Sequence, residues 1–105
     1  MAFQLKEGEE LLAGVRANLF RGIEGVGGRM KITDRRVVFE PHAINIQRQP
    51  AEIPFEHIAE VRKRNTMGII PNGILILTKS GIKYKFVVWG RERLISLIQS
   101  HLSKT

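Results

Sequence analysis

The chain has 105 residues, the length of one domain, and contains no cysteine, which excludes disulfides, cysteine nucleophiles and cysteine-ligated zinc or iron–sulfur sites. It has no apolar run near the ~20 residues of a transmembrane helix and no signal-peptide pattern at its start. Its net charge of +7 is segregated, because residues 1–60 hold 8 Lys and Arg against 9 Asp and Glu, whereas residues 61–105 hold 9 Lys and Arg against 1 acid. This favours an anionic partner, and we expect a cytoplasmic protein, peripheral to the inner membrane surface where it meets a membrane.

Alternating apolar and polar residues predict β-strands in the first third of the chain. An extended lead-in over residues 1–10 precedes a first strand at residues 12–20, and its Glu9 and Glu10 are expected to stay in solvent. The glycine-rich residues 21–28 are predicted to be a flexible connection. They do not make a phosphate-binding P-loop, because no Lys-Ser or Lys-Thr follows the glycines and the next predicted element is a strand.

Residues 27–41 predict a β-hairpin. Met30 and Ile32 on its first strand, like Val37 and Phe39 on its second, alternate with polar residues, so each strand has one apolar face. Asp34 is predicted to make the turn, since aspartate accepts hydrogen bonds from nearby backbone N–H groups. Two short strands do not bury such faces by themselves, so the hairpin requires a larger sheet.

The rest of the chain predicts further short strands and then one helix. In order, the predicted elements are a loop with a little strand at residues 42–51, an edge strand at 53–55, one helical turn at 55–58, a strand at 59–65, an apolar loop at 65–73, and a hairpin with strands at 73–78 and 82–88. The strands therefore lie within about residues 11–88. Beyond them the apolar spacing becomes helical, which predicts an amphipathic helix over about residues 90–102.

Four motifs, taken in order, carry a family resemblance: LKEGE at residues 5–9, GGRMKITDRRVVFEP at 27–41, IPFEHIAEV at 53–61 and ILILTKSGIKYKF at 74–86. Together with the closing helix they resemble the GRAM domain, as a single free-standing domain over residues 1–105. The resemblance implies a mainly β, pleckstrin-homology-like barrel of two roughly orthogonal antiparallel sheets, with about seven strands, closed by the C-terminal helix. GRAM domains serve mainly in membrane-associated proteins such as myotubularins, bind lipid headgroups or proteins, and are not themselves catalytic.

Two basic residues at positions i and i+2 of a strand project from the same side, where one anionic headgroup can meet both. Three such pairs occur: Arg29 with Lys31, Arg62 with Arg64, and Lys83 with Lys85. The resemblance further implies a headgroup rim made by the loops after the first, third and sixth strands. The predicted headgroup contacts are Arg21, Arg29, Lys31, Arg48, Lys79, Lys83 and Lys85, with Arg62 and Arg64 as a secondary basic patch.

The predicted loop at residues 65–73 is more apolar than a loop requires, because it contains Met67, Ile69 and Ile70. If they are exposed, these three side chains are candidates for insertion into a membrane or for contact with a partner. Packing in the core or at a dimer interface is the favoured alternative.

The predicted function is that of a non-enzymatic module that binds anionic membrane lipids, such as phosphoinositides, through a basic surface. A protein-interaction or homodimerisation adaptor is the alternative; non-specific nucleic-acid binding ranks third, because the chain has only seven aromatic residues. No catalytic residue, metal, cofactor or small-molecule substrate is predicted, since His42, His57 and His101 are isolated in sequence and no serine lies in a nucleophile elbow.

Overall fold

A computed structural model of the chain describes residues 3–43, 48–66 and 68–102. Within these residues the chain forms seven strands, one turn of 3₁₀-helix and a C-terminal α-helix. The strands are β1 (Leu11–Arg21), β2 (Glu24–Thr33), β3 (Arg36–Pro41), β4 (Ala51–Pro54), β5 (Ile58–Thr66), β6 (Ile70–Thr78) and β7 (Lys83–Val88). The 3₁₀ turn is Phe55–His57 and the helix α1 is Arg91–Leu102.

The seven strands form one antiparallel sheet in the order β4-β3-β2-β1-β7-β6-β5. Strand β1 joins its two halves, because Leu19 is paired with Val26 of β2 on one side and with Phe86 of β7 on the other. The two sheets predicted from the family resemblance are therefore continuous through β1. The predicted class, a mainly β fold with a C-terminal helix, is confirmed.

The sheet curls so far that its two halves share one core. Phe39 of β3 and Phe86 of β7 are three strands apart in sheet order, a separation of roughly 14 Å in a flat sheet. Their ring centroids are 6.0 Å apart. The residues predicted to form the apolar face of the hairpin, Met30, Ile32, Val37 and Phe39, are all fully buried in this core.

Helix α1 closes the barrel over β5, β6 and the 3₁₀ turn. Its buried stripe is Leu94, Ile95 and Ile98, as the helical spacing predicts. Polar side chains hold it in place: Gln99 Nε2 donates a hydrogen bond to the Val61 carbonyl at 3.3 Å. The His101 ring stacks on Phe55 with the centroids 5.1 Å apart.

Two predicted connections are wrong in part. Residues 21–28 are not a flexible link, because β2 begins at Glu24 and only a tight turn containing Gly22 (φ 66°) separates it from β1. Gly28 allows close packing rather than mobility, since a Cβ there would lie 2.3 Å from the Glu40 carbonyl oxygen. Strand β6 begins at Ile70, inside the predicted apolar loop. Residues 44–47 of the predicted loop with a little strand at 42–51 lie outside the described residues.

The N-terminal segment corrects the expectation that Glu9 stays in solvent. The Glu9 carboxylate has no solvent exposure and receives two hydrogen bonds from Arg36, from Nε and Nη2 at 2.8 Å each. Thr33 Oγ1 donates a third at 2.6 Å, and the Lys6 backbone N–H a fourth. Hydrogen bonding to Arg36 outweighs the opposing effect of burial and lowers the pKa of Glu9 from 4.5 to about 2.

The turn between β2 and β3 is made by Thr33 rather than by the predicted Asp34. The Thr33 hydroxyl accepts hydrogen bonds from the backbone N–H groups of Arg35 and Arg36, each at 3.0 Å. Asp34 instead holds the N-terminal segment, because its carboxylate accepts the Glu10 backbone N–H at 2.9 Å. The turn and the lead-in are thus one hydrogen-bonded unit.

Candidate functional site

Four basic residues lie together on the outer face of β5, β6 and β7. Strand register places Arg62 of β5 opposite Leu75 of β6, and Leu75 opposite Lys85 of β7, so these three residues form one row across the sheet. Arg64 lies on the same face one step along β5, and Lys83 one step along β7. We call Arg62, Arg64, Lys83 and Lys85 the basic face.

One acid, Glu60, lies among the cations of the basic face, in a row with Leu77 and Lys83. The sequence has no Asp or Glu between Glu60 and Glu92. Glu60 lies 3.9 Å from Arg62, and both side chains are exposed, so this ion pair is weak. Glu92 lies 3.8 Å from Lys63, which has the opposite parity on β5. The cations from β5 and β7 therefore enclose a surface whose central strand contributes half-buried Leu75 and Leu77.

The two residues of the first predicted basic pair, Arg29 and Lys31, lie in different environments. Lys31 is half-buried, its Nζ lies 3.0 Å from Glu40 Oε1, and it stands over the Phe3 ring at 4.8 Å. Burial opposes ionisation of Glu40, but the Phe3 backbone N–H and Lys31 lower its pKa, so this ion pair is maintained. Arg29 is exposed and lies directly opposite Arg16 of β1. Lys31 therefore has a structural partner, whereas Arg29 faces solvent.

Two of the predicted contacts in the loops, Arg21 and Arg48, interact with other protein groups. Arg21 donates a hydrogen bond to the Gln49 carbonyl, and Arg48 Nη2 lies 3.5 Å from Glu24 Oε2. These interactions tie the β1–β2 and β3–β4 loops together. Lys79, in the β6–β7 turn, lines a shallow groove of about 300 Å³ whose wall includes Glu52 and Glu56.

The structure places the Arg62/Arg64 pair and the Lys83/Lys85 pair on the same surface, and the other predicted contact residues lie on other parts of the domain. Sequence parity identified both pairs, but their adjacency depends on β6 lying between them. Ile69 is 79% exposed and Ile70 48%, so neither packs in the core, and Met67 lies outside the described residues.

Sequence analysis missed Trp89, which is 85% exposed. The signal for it is the alternation along β7: Tyr84, Phe86 and Val88 point inward, which directs the next residue outward.

Within the described residues, no group of three or more His, Asp or Glu side chains is arranged to hold a metal ion. No helix among them is both long enough and apolar enough to cross a membrane.

The sequence model of the GRAM domain matches residues 1–105. The chain belongs to the GRAM domain family. Comparison with curated protein sequences finds no match for this GRAM domain.

Solved structures resemble the GRAM domain closely in fold and weakly in sequence. The C-terminal domain of an unknown protein from Leishmania infantum is 18% identical with a TM-score of 0.79, over 91% of this chain and 86% of that one. The Vps36 N-terminal PH domain is 15% identical with a TM-score of 0.75, over 96% and 84% of the two chains. The N-terminal PH domain of human ARAP2 is 14% identical with a TM-score of 0.69, over 88% and 79%. At these identities the likeness establishes the fold. GRAM and PH-like domains are generally interaction modules for membranes, lipids or proteins, and they are typically not catalytic.

Proposed function

We propose that this GRAM domain is a non-enzymatic module that associates peripherally with anionic membrane lipids through the basic face. The observation that carries the proposal is the row Arg62–Leu75–Lys85, because it brings cations from β5 and β7 together on one outer surface. The lack of acids between Glu60 and Glu92 supports it, since an excess of cations on one surface attracts anions.

Four cations are enough for reversible binding without a closed pocket. Each Lys or Arg near an anionic leaflet contributes ~1 kcal/mol, so the basic face supplies about 4 kcal/mol, which corresponds to a Kd of roughly 1 mM before any apolar contact. The Debye length is ~8 Å at physiological ionic strength, so binding through such a face weakens as salt is added. We expect vesicle binding that is strong at low salt and lost at high salt.

Membrane lipid is favoured over nucleic acid because, in the described part of the chain, no aromatic ring lies between the cations of the basic face. The aromatic residues beside it are half-buried Phe20, paired with Lys85, and Trp89 beyond the end of β7. Phe39 and Phe86 are buried in the core and Tyr84 points inward. The residues between the cations are aliphatic Leu75 and Leu77, and proteins that bind single strands without sequence preference rely on aromatic stacking.

Flotation with lipid vesicles tests the proposal. We expect the purified domain to float at low salt with vesicles of phosphatidylcholine containing phosphatidylserine, and to stay behind with vesicles of phosphatidylcholine alone. Lys83→Gln with Lys85→Gln removes two charges from the basic face and should weaken binding about 30-fold, because two cations contribute about 2 kcal/mol.

The matched control is Lys6→Gln with Arg29→Gln, which removes the same charge from exposed positions outside the basic face. We expect its binding to stay within about twofold of the wild type, the range of surface substitutions away from a contact. Equal losses in the two double variants would show that total charge, not this surface, drives binding. Membrane association through this face would be refuted if the domain did not float with phosphatidylserine vesicles. It would also be refuted if a single-stranded oligonucleotide bound the domain more tightly than the vesicles do.

A further inference from the structure

The exposed apolar residues Ile69, Ile70 and Trp89 lie at one end of the sheet. Strand β6 begins at Ile70, and Gly73 of β6 is paired with Val87 of β7. This is the last pair between the two strands, so Ile70 and Trp89 both lie beyond the same end of the β6–β7 ladder. The loop before β6 and the junction after β7 are therefore at the same end of the sheet, and we call Ile69, Ile70 and Trp89 the apolar end.

The apolar end continues the basic face rather than standing apart from it. Lys83, Lys85, Val87 and Trp89 have the same parity on β7, so Trp89 extends the outward row that carries the two lysines. Arg64 of the basic face is paired with Gly73, and Thr66, two residues further along β5, is paired with Ile70 of the apolar end. Cations and exposed apolar side chains are thus contiguous on one surface.

The surroundings of the apolar end are cationic. Arg16 of β1 lines a surface groove of about 440 Å³ together with Trp89. Arg91 is fixed at the start of α1, where its Nη1 donates hydrogen bonds to the Arg64 carbonyl at 3.0 Å and to Asn65 Oδ1 at 3.1 Å. Tryptophan favours the boundary between water and hydrocarbon, and arginine pairs with phosphate groups. This combination matches the headgroup region of an anionic bilayer.

From these observations, and resting on the membrane function proposed above, we infer that the apolar end enters the headgroup–acyl boundary of an anionic bilayer. The basic face then lies against the headgroups, and Trp89 is the principal apolar anchor. The β6–β7 turn, at the other end of β6, is roughly 27 Å away along that strand. Neither this turn nor the turn that carries Ile23 between β1 and β2 enters the headgroup–acyl boundary, since Phe20, near the Ile23 turn, is paired with Lys85, near the start of β7.

The fluorescence of Trp89 reports this geometry directly, because it is the only tryptophan in the chain. Its exposure in the free domain predicts emission typical of water. We expect the emission maximum to shift to shorter wavelength on addition of phosphatidylcholine–phosphatidylserine vesicles, and phospholipids brominated on the acyl chains to quench it. Vesicles of phosphatidylcholine alone should produce neither effect.

Two substitutions and one matched control complete the test. Trp89→Ala, measured by flotation, should weaken vesicle binding about tenfold, equivalent to about 1.4 kcal/mol, for partial burial of a large aromatic side chain. Ile69→Ser should weaken it in the same direction. Ile23→Ser removes an equally apolar, fully exposed side chain at the opposite end and should leave binding unchanged. All three side chains are exposed, and circular dichroism should show that each variant keeps its fold.

The outcomes separate this inference from the proposed function. If the wild type does not float with phosphatidylserine vesicles, both fail. Suppose instead that the wild type floats, but the Trp89 emission maximum does not shift and brominated lipids do not quench it. The membrane function then stands and the inferred orientation is overturned. The same holds if Ile23→Ser weakens binding as much as Ile69→Ser. A blue shift that appears without lipid as protein concentration rises would identify the apolar end as a contact between copies of the chain, and would also overturn the inference.

Discussion

Replacing the buried Glu9 by glutamine should destabilise the domain measurably, because Glu9 anchors the N-terminal segment to β2 and β3. Glu9→Gln keeps the shape of the side chain but removes the charge that receives two hydrogen bonds from Arg36. It also leaves Arg36 buried with one carboxylate partner, Glu52, instead of two.

The pKa of Glu9 sets the scale of the effect. It lies at about 2 in the folded domain against an ordinary value of 4.5, and a shift of that size corresponds to at most about 3 kcal/mol at neutral pH. Because Glu52 and the Gln4 carbonyl still accept hydrogen bonds from Arg36, we expect a loss of about 2 kcal/mol in the free energy of unfolding.

The sign of the pH dependence follows from the lowered pKa. The stabilising contribution is fully present above about pH 4.5 and is lost as the pH falls toward 2, since the unfolded chain then binds the proton more readily than the folded domain. Urea unfolding at neutral pH and at several acidic values should show a steep decline in wild-type stability over this range. In Glu9→Gln the decline should be shallower.

Glu10→Gln is the matched control, because Glu10 is the neighbouring residue, is exposed, and contacts Asp34 through its backbone. We expect its stability to stay within about 0.5 kcal/mol of the wild type. The assignment of Glu9 as a charged anchor would be refuted if Glu9→Gln were as stable as Glu10→Gln at neutral pH. It would also be refuted if the stability of Glu9→Gln fell with pH as steeply as that of the wild type.

Two further predictions test the packing and the division of the basic residues. Gly28→Ala should prevent normal folding, because the added methyl group would lie 2.3 Å from the Glu40 carbonyl oxygen. Gly14→Ala is the control, since its methyl group would meet only Lys31 Cγ at 3.9 Å. Similar thermal unfolding temperatures for the two variants would contradict this prediction. In the flotation assay, Lys31→Gln should leave vesicle binding within about twofold of the wild type, since Lys31 is paired with Glu40. A loss of binding as large as that of Lys83→Gln with Lys85→Gln would show that the binding surface includes β2.

The strands and the inward parity of their side chains were predictable because both depend on a local period of two. Met30, Ile32, Val37 and Phe39 read as one buried face from the sequence and are fully buried in the structure. The glycines of residues 21–28 were misread as a sign of mobility. Gly28 is required instead by contact with β3, which is 12 residues further along the chain at Glu40. Local composition does not encode such an approach.

Which charged side chains form ion pairs was the feature least predictable from the sequence. Glu9 and Arg36 are 27 residues apart, so nothing in the local pattern distinguished Glu9 from the exposed Glu10. The same applies to Lys31, whose pairing with Glu40 depends on the register between β2 and β3. Charge in the sequence identifies candidates, and only the folded arrangement separates ion-paired cations from those that remain available to a ligand.

The sequence by itself determined the GRAM resemblance, through four motifs in order along the chain. It also determined the succession of strands followed by a C-terminal helix and the concentration of positive charge in residues 61–105, because these depend on short-range periodicity and composition. Tertiary structure decided which cations share a surface. Arg62 and Lys85 are 23 residues apart and become neighbours only because β6 returns between β5 and β7 and sets their register through Leu75. Backbone hydrogen bonding between strands, a non-local interaction, therefore creates the basic face, and Trp89 follows it on the outward parity of β7.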